Sequence, residues 1–515
     1  MIARKIDYYL GHLNNDIPAG IVVFLVALPL CLGIALASGA PSFSGVIAGI
    51  VGGLVVSLAS GSQLSVSGPA AGLTVIVAGA IGKLGYEGFL LSVVLAGVLQ
   101  LAMGFLRAGV IGAYFPAAVI KGMLTAIGLI LIMKQLPHAV GYDAEADADL
   151  SFLEVDSHPA FIKIMESLLA FSPGAAIVSL ASIAILVAWD TPRFRRYRLV
   201  ALTPGPLVAV LFGMGFHLST SAFIPFLAIE PQHLVTLPEI AGPMDFIHHF
   251  TRPDFSAWMR LDVYITAATL AIVASLETLL SLEAIDKLDP LKRVAPTNQE
   301  LKAQGLGNLI SGLLGGLPIT SVIVRSSANV NAGARTGMAS FLHGVLLLLS
   351  VMFLSRFLNL IPLACLAALL LLTGYKLAKP ALFTEIYRKG FNQFAPFIVT
   401  VGAILLTDLL IGMAIGMAVG LFFVLRTNFH AAMTLTRDGN NYLLKLQKDV
   451  SFLNKALLRN YLESIGNDSY LIVDGGKAGF VDHDILETLE DFIKAAADAN
   501  IRVELKNVPG MSAPM

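Results

Sequence analysis

Charge is what this sequence has least of. Of its 515 residues, 13% are Asp, Glu, Lys or Arg, against roughly 25% in a soluble domain, so most of the chain cannot present an ordinary water-facing surface. Cysteine is nearly absent too. Cys31 and Cys365 both sit within apolar runs, which reads as packing and leaves no disulfide framework or cysteine metal centre. A formal net charge of -1 offers little to a phosphate backbone, so no nucleic-acid partner is expected. No Walker-type phosphate loop, HExxH or GxSxG occurs. ATP hydrolysis and protease or esterase chemistry therefore lack their usual residues; the protein reads as no enzyme, with no cofactor.

What is present is apolar. Hydrophobic residues make up 56% of the chain, and runs such as IPAGIVVFLVALPLCLGIALA from Ile17 and FLLSVVLAGVLQLAMGFL from Phe89 approach the roughly 20 residues that cross a bilayer as a helix. Cutting at charged and Gly/Pro-rich breaks gives about fourteen such segments up to Arg426, some too short to cross alone. The first run has no small-residue cleavage site after a short core, so it reads as a retained helix. Arg4, Lys5, Arg107, the run RFRRYR (193–198), Lys287, Lys292, Arg293 and Arg426 fall in loops on one side, while the stretch from Asp143 to Asp156 on the other side is acidic. The positive-inside rule then predicts a multi-pass protein of the plasma (inner) membrane with both ends cytoplasmic.

After Arg426 the composition changes. NNYLLKLQKDVSF alternates like a strand, LNKALLRNYLESI has helical period, SYLIVDGG reads as a buried strand, DHDILETLEDFIKAAADAN as a second amphipathic helix and IRVELKNV as a third strand. The expected organisation is a mainly α membrane domain over 1–430 and a small cytoplasmic α/β domain over 440–515. The tail serves either to stabilise or dimerise the protein or to regulate it.

Two segments break the apolar pattern. SGSQLSVSGPAAGLTVIVAGAIG (Ser60–Gly82) and GGLPITSVIVRSSANVNAGA (Gly315–Ala334) each read as extended chain followed by a half-helix that starts at a proline, Pro69 or Pro318. They fall in corresponding places of two halves and enter from opposite faces, which is the sequence pointer to an inverted-repeat transporter. Facing half-helix N-termini favour an anion. Arg325 lies five residues beyond Thr320, about one and a half turns into the second half-helix, close enough to add a whole charge. Glu277 lies inside another apolar run, with Ser281 one turn later. A carboxylate with hydroxyls, including Thr320, can hold Na+, or the carboxyl can carry a proton; the plainer reading is a structural ion pair between Glu277 and Arg325. His343 reads as a packed histidine, Asp408 as a turn residue, and Asp262 and Asp190 as helix-end residues.

NQELKAQGLGNLISGLLGGLPITSVIVRSSANVNAGARTGMAS (298–340), with DIPAGIVVFLVALPLCLGIALASG and SGPAAGLTV, resembles the SulP family of anion transporters, which includes sulfate permeases, bicarbonate transporters and prestin. The resemblance implies fourteen helices in a seven-plus-seven inverted repeat, a core moving against a gate, a homodimer and a C-terminal STAS domain, which the tail resembles in element order. It assigns anion contacts to the backbone at Gly68–Ala71 and Thr320–Val322, Arg325 as the basic residue behind them, and Glu277 in ETLLS as the coupling carboxylate. Leu30 follows Pro29 where the family usually places a polar residue, leaving Phe24, Leu30 and Ile34 as pocket lining. Ala70 stands where many members have threonine. His483 replaces the hydroxyl that follows the STAS aspartate, so phosphorylation there is not expected, and the tail reads as a short STAS domain. The function expected is secondary active transport of a small inorganic anion, bicarbonate first and sulfate second, coupled to Na+ or H+ by an elevator-like motion. The alternatives are a C4-dicarboxylate or nucleobase carrier of related fold, an uncoupled anion channel, and an anion-sensing receptor that signals through the tail.

Overall fold

The computed structural model describes residues 11–110, 116–141, 172–191, 203–238, 242–407, 409–430 and 432–511. Arg4, Lys5, the acidic stretch 143–156, the basic run 193–198 and Asp408 lie outside the described residues. The chain divides into two compact units, Met1–Arg388 with Phe397–Gly416, and Lys389–Pro396 with Met417–Met515.

The first unit is helical. Its main helices are α1 (Leu13–Ala37), α2 (Ser42–Ala59), α3 (Ala71–Leu84), α4 (Tyr86–Phe105), α5 (Ala117–Ala139), α6 (Pro173–Asp190), α7 (Gly205–Phe223), α8 (Leu261–Leu288), α9 (Thr297–Leu313), α10 (Ile323–Asn331), α11 (Met338–Leu358) and α12 (Leu363–Leu377), with short helices besides at Pro243–His248 and Pro380–Arg388; α13 (Phe391–Leu406) and α14 (Leu409–His430) are each divided between the two units. Nine of the described helices are long and apolar enough to cross a membrane. The protein is a multi-pass membrane protein.

Close packing rests on glycine at the helix crossings. A β-carbon on Gly374 of α12 would stand 2.7 Å from the Gly128 carbonyl of α5, and one on Gly128 would stand 2.7 Å from the Gly374 carbonyl. Gly344 of α11 meets Gly53 of α2 in the same way, and Gly305 of α9 meets Gly97 of α4. Lipid tails give apolar helices no hydrophobic reason to associate, so close van der Waals approach between small residues replaces it. Gly53 lies in a π-helical turn, Gly52–Val56, a local widening that interrupts the regular ladder at this crossing. Asp16, in the first turn of α1, is fully buried and accepts from the Arg335 and Thr336 amides at 2.7 and 3.1 Å. It ties the first helix to the loop between α10 and α11.

The second unit carries a four-stranded sheet in the order β3 (Met433–Asp438), β4 (Asn441–Leu446), β5 (Tyr470–Asp474), β6 (Arg502–Lys506), with helices α15 (Lys455–Glu463) and α16 (His483–Ala496). β4, β5 and β6 run parallel, each link made through a helix. These are the three strands expected from the sequence. β3 is an addition: it pairs antiparallel with β4 across a tight turn at Gly439, whose φ is 59°. Its exposed Thr434, Thr436 and Arg437 do not mark a strand by hydrophobic alternation. His483 is the first residue of α16, and the Asp482 side chain caps that helix by accepting from the Asp484 amide.

Candidate anion site at two broken helices

The two interrupted segments meet. β1 (Ser67–Pro69) and β2 (Ile319–Ser321) pair antiparallel, with Ser67 opposite Ser321, Gly68 opposite Thr320 and Pro69 opposite Ile319. Extended backbone inside an apolar protein must find partners for its amides and carbonyls, and each strand supplies them to the other. The prolines fall at strand margins, where the ladder does not need their missing N–H.

This pairing moves the helix starts. The half-helices begin at Ala71 and Ile323, after the strands, and not at Pro69 and Pro318 as the sequence pattern suggests. Thr320 and Ser321 are consequently strand residues, and Arg325 sits in the first turn of α10. The residues before the helices are Ala70 and Val322, and neither helix has a side-chain cap. An apolar cap leaves the first-turn amides without intrahelical or side-chain acceptors.

Arg325 is fully buried. Its Nη2 donates to the Pro69 carbonyl at 3.3 Å, and its Nη1 occupies the space a β-carbon on Gly68 would need. Nε and Nη1 are buried and have no hydrogen-bond partner among the described residues. A guanidinium at a helix N-terminus adds its charge to the positive end of the dipole. The potential here is strongly positive.

Glu277 of α8 rests on the other half-helix. A β-carbon on Gly72 would stand 2.7 Å from its Oε2 and 2.9 Å from Oε1. Among the described residues, Oε2 is buried without a partner, and so is the Thr320 hydroxyl. The structural ion pair between Glu277 and Arg325 is not formed: each charge lies on a different glycine of SGPAAG. Two unsatisfied oxygens of this kind suit a hard cation or a proton. Ser281, one turn along α8, is buried.

On α1, Phe24 keeps partial exposure, as do Ala71 and Val322, whereas Leu30 and Ile34 are buried. Leu30 packs in a cluster with Val26, Leu186, Ala209 and Leu369, against which Ala328 of α10 rests. His343 is fully buried on α11, its Nδ1 facing the Ser340 carbonyl at 3.3 Å.

A profile of the sulfate permease family matches residues 13–401. The chain belongs to the sulfate permease family. It is a membrane transporter of anions and not an enzyme. The Bicarbonate transporter BicA of Picosynechococcus is 27% identical over 420 residues, covering 79% of this chain and 68% of that protein. The transmembrane domain of a cyanobacterial BicA is similar in fold, with TM-score 0.64 and 21% identity over 80% of this chain and 97% of that one. Murine Slc26a9, solved as an anion transporter, reaches TM-score 0.75 at 17% identity over 96% and 85% of the two chains. The C-terminal sheet and helices are consistent with the family's STAS-like domain.

In this permease, the residues that hold the site together lie on α9. Asn308 accepts from the Ile319 amide at 2.5 Å, and its Nδ2 lies 3.0 Å from the Ile319 carbonyl and 2.6 Å from Gln100 Oε1. Gln304 donates to the Ser67 hydroxyl at 2.7 Å. Thr278, next to Glu277, accepts from the Ser321 amide at 3.2 Å, and the Ser65 and Ser321 hydroxyls bond at 2.6 Å. Reasoning from residue chemistry passed over these groups. One signal was available: Glu300, Gln304 and Asn308 recur every fourth residue, a buried polar stripe along one helix face.

Proposed function

We propose that the protein is a secondary active transporter of a small inorganic anion, bicarbonate first and sulfate second, coupled to Na+ or H+. The observation that carries the reading is the pair of uncapped half-helices with Arg325 behind them, its Nε and Nη1 without partners among the described residues. Backbone amides opening α3 and α10 hold the anion, with Gly68–Ala71 and Thr320–Val322 around it, and Arg325 supplies charge from behind. Phe24 forms the apolar wall, backed by Leu30 and Ile34.

Glu277 explains coupling. Its carboxylate lies against the first turn of α3, where a negative charge is favoured by the dipole but opposes a second anion. Na+ held by Glu277, Thr320 and Ser281, or a proton on Glu277, removes that opposition. Anion and cation then bind together or not at all.

The same reading arranges α1–α7 and α8–α14 as a seven-plus-seven inverted repeat, with the core carrying its site past a gate by an elevator-like shift. It places both termini in the cytoplasm and the protein in the plasma (inner) membrane as a homodimer, with 1–430 as the transport domain and 440–515 as the STAS-like domain contributing to the dimer. The sequence likeness to the Bicarbonate transporter BicA supports bicarbonate, and the family name supports sulfate.

The test is uptake of labelled bicarbonate, sulfate and fumarate into proteoliposomes, with sodium and pH gradients imposed separately. Saturable uptake of one inorganic anion driven by one gradient is expected. Fumarate as the best substrate, or a large gradient-independent anion current, would overturn the assignment.

A further inference from the structure

A second buried carboxyl stands apart from Glu277. Glu300, in the first turn of α9, is fully buried. Its Oε1 accepts from Gln304 Nε2 at 2.9 Å, and its Oε2 shares a hydrogen bond with the Ser60 hydroxyl. It makes no ion pair among the described residues. An ionised carboxylate withdrawn from water without a cation costs several kcal/mol, whereas the acid form satisfies every contact seen. Oε1 then accepts from Gln304, and Oε2–H donates to Ser60 Oγ, which also accepts from the Ser62 amide at 3.0 Å.

α2 and β2, both packed on α9, carry no titratable side chain. Tyr86 and Glu87 of α4 lie at the opposite end, where the Tyr86 hydroxyl donates to the Gly315 carbonyl. On α9 itself Lys302 turns away, its Nζ 4.2 Å from the centre of the Phe105 ring. From α8, Asp286 accepts from the Ala295 amide at 3.0 Å and Glu283 and Lys287 pair on an exposed surface, while Arg293, just beyond that helix, is held by Asp289 at 2.6 Å.

The acid is connected in two directions. Outward, Ser62 borders a polar cavity of about 20 Å³ lined also by Gln63, Asp286 and the Asp289–Arg293 pair, large enough for one water molecule. Inward, the same Gln304 amide that donates to Glu300 also donates to Ser67, the first residue of β1. Ser67 immediately precedes Gly68, on which Arg325 lies.

We propose that Glu300 is a second proton-binding site of this transporter, and that Gln304 relays its protonation state to β1 and so to anion affinity. Loss of the Oε2 proton to water leaves a carboxylate, to which the Ser60 hydroxyl then donates. The carboxylate binds the Gln304 amide more strongly than the acid does, drawing it from Ser67 and loosening β1 beneath Arg325. Glu300 is thus a positioning residue; its effect on the anion rests on the transport reading above, but its proton does not.

The test has two arms on the purified full-length protein. Infrared difference spectra across a pH titration should show a protonated-carboxyl C=O band that is missing in Glu300→Gln, retained in Glu277→Gln and shifted in Ser60→Ala. In proteoliposomes, the anion KM of the wild type should rise about tenfold as Glu300 ionises, and this step should be missing from Glu300→Gln. A band unchanged in Glu300→Gln overturns the proton site whatever is transported. A band lost in Glu300→Gln with the wild-type pH profile of KM overturns the relay. Absence of any anion uptake by the wild type, with the band assigned to Glu300, overturns the transport reading alone.

Discussion

Arg325 lies directly on Gly68, its guanidinium filling the place of a side chain, so that the charge of the second half-helix rests on the strand leading into the first. The two halves of the site are interdependent. Both charges, Glu277 and Arg325, come from α8 and α10 and rest on glycines of the first segment.

Replacing Gly68 with alanine should therefore act on Arg325 before it acts on the fold. The displaced atoms are the free end of a long side chain, which can swing aside at small cost to stability. Uptake should fall at least about tenfold in kcat/KM, roughly 1.4 kcal/mol of lost positioning, with a melting temperature close to wild type. Wild-type uptake by Gly68→Ala would remove the Arg325–Gly68 contact from the site.

Glu277→Gln keeps the shape of the carboxyl and removes its charge. Anion binding, measured by equilibrium exchange, should persist, while uptake becomes insensitive to the sodium or proton gradient. Full gradient-driven accumulation by this variant would exclude Glu277 as the coupling group.

Asn308→Leu should separate scaffold from chemistry. It leaves the Ile319 amide and carbonyl without their side-chain partner in a buried setting, at about 1 to 3 kcal/mol for each unsatisfied group. A melting temperature lowered by several degrees and weakened anion uptake are expected together. Asn308→Asp preserves the acceptor for the Ile319 amide and should recover part of both losses; equal damage from the two variants would count against this role.

At the α5–α12 crossing, Gly374→Ala sets two effects against each other. Alanine favours the helix by up to about 1 kcal/mol, but its β-carbon would stand 2.7 Å from the Gly128 carbonyl and 2.8 Å from Ile132 Cγ1. Backbone cannot yield as a side-chain tip does, and overpacking typically costs about 1 to 3 kcal/mol. Net destabilisation in a thermal melt in detergent is expected, and a stabilised variant would show that the crossing is looser than its geometry.

By itself, the sequence determined the membrane class, the two broken segments, the isolated charges Arg325 and Glu277, and the α/β tail. Each of these is local: apolar length, a Gly/Pro interruption, or an ionisable group out of keeping with its neighbours can be read within one window of chain. β3 escaped because a short, half-exposed hairpin strand carries no clean alternation. Only the tertiary structure decided that Ser67–Pro69 pairs with Ile319–Ser321, which shifts the helix starts from Pro69 and Pro318 to Ala71 and Ile323. It also decided that Gly68 receives Arg325 while Gly72 receives Glu277. A glycine announces that a side chain is missing, not which distant group takes its place, because that depends on how helices from the two halves pack. The same holds for Glu300, Gln304 and Asn308: their spacing puts them on one face of a helix, but what that face holds is settled only when β1 and β2 are laid against it.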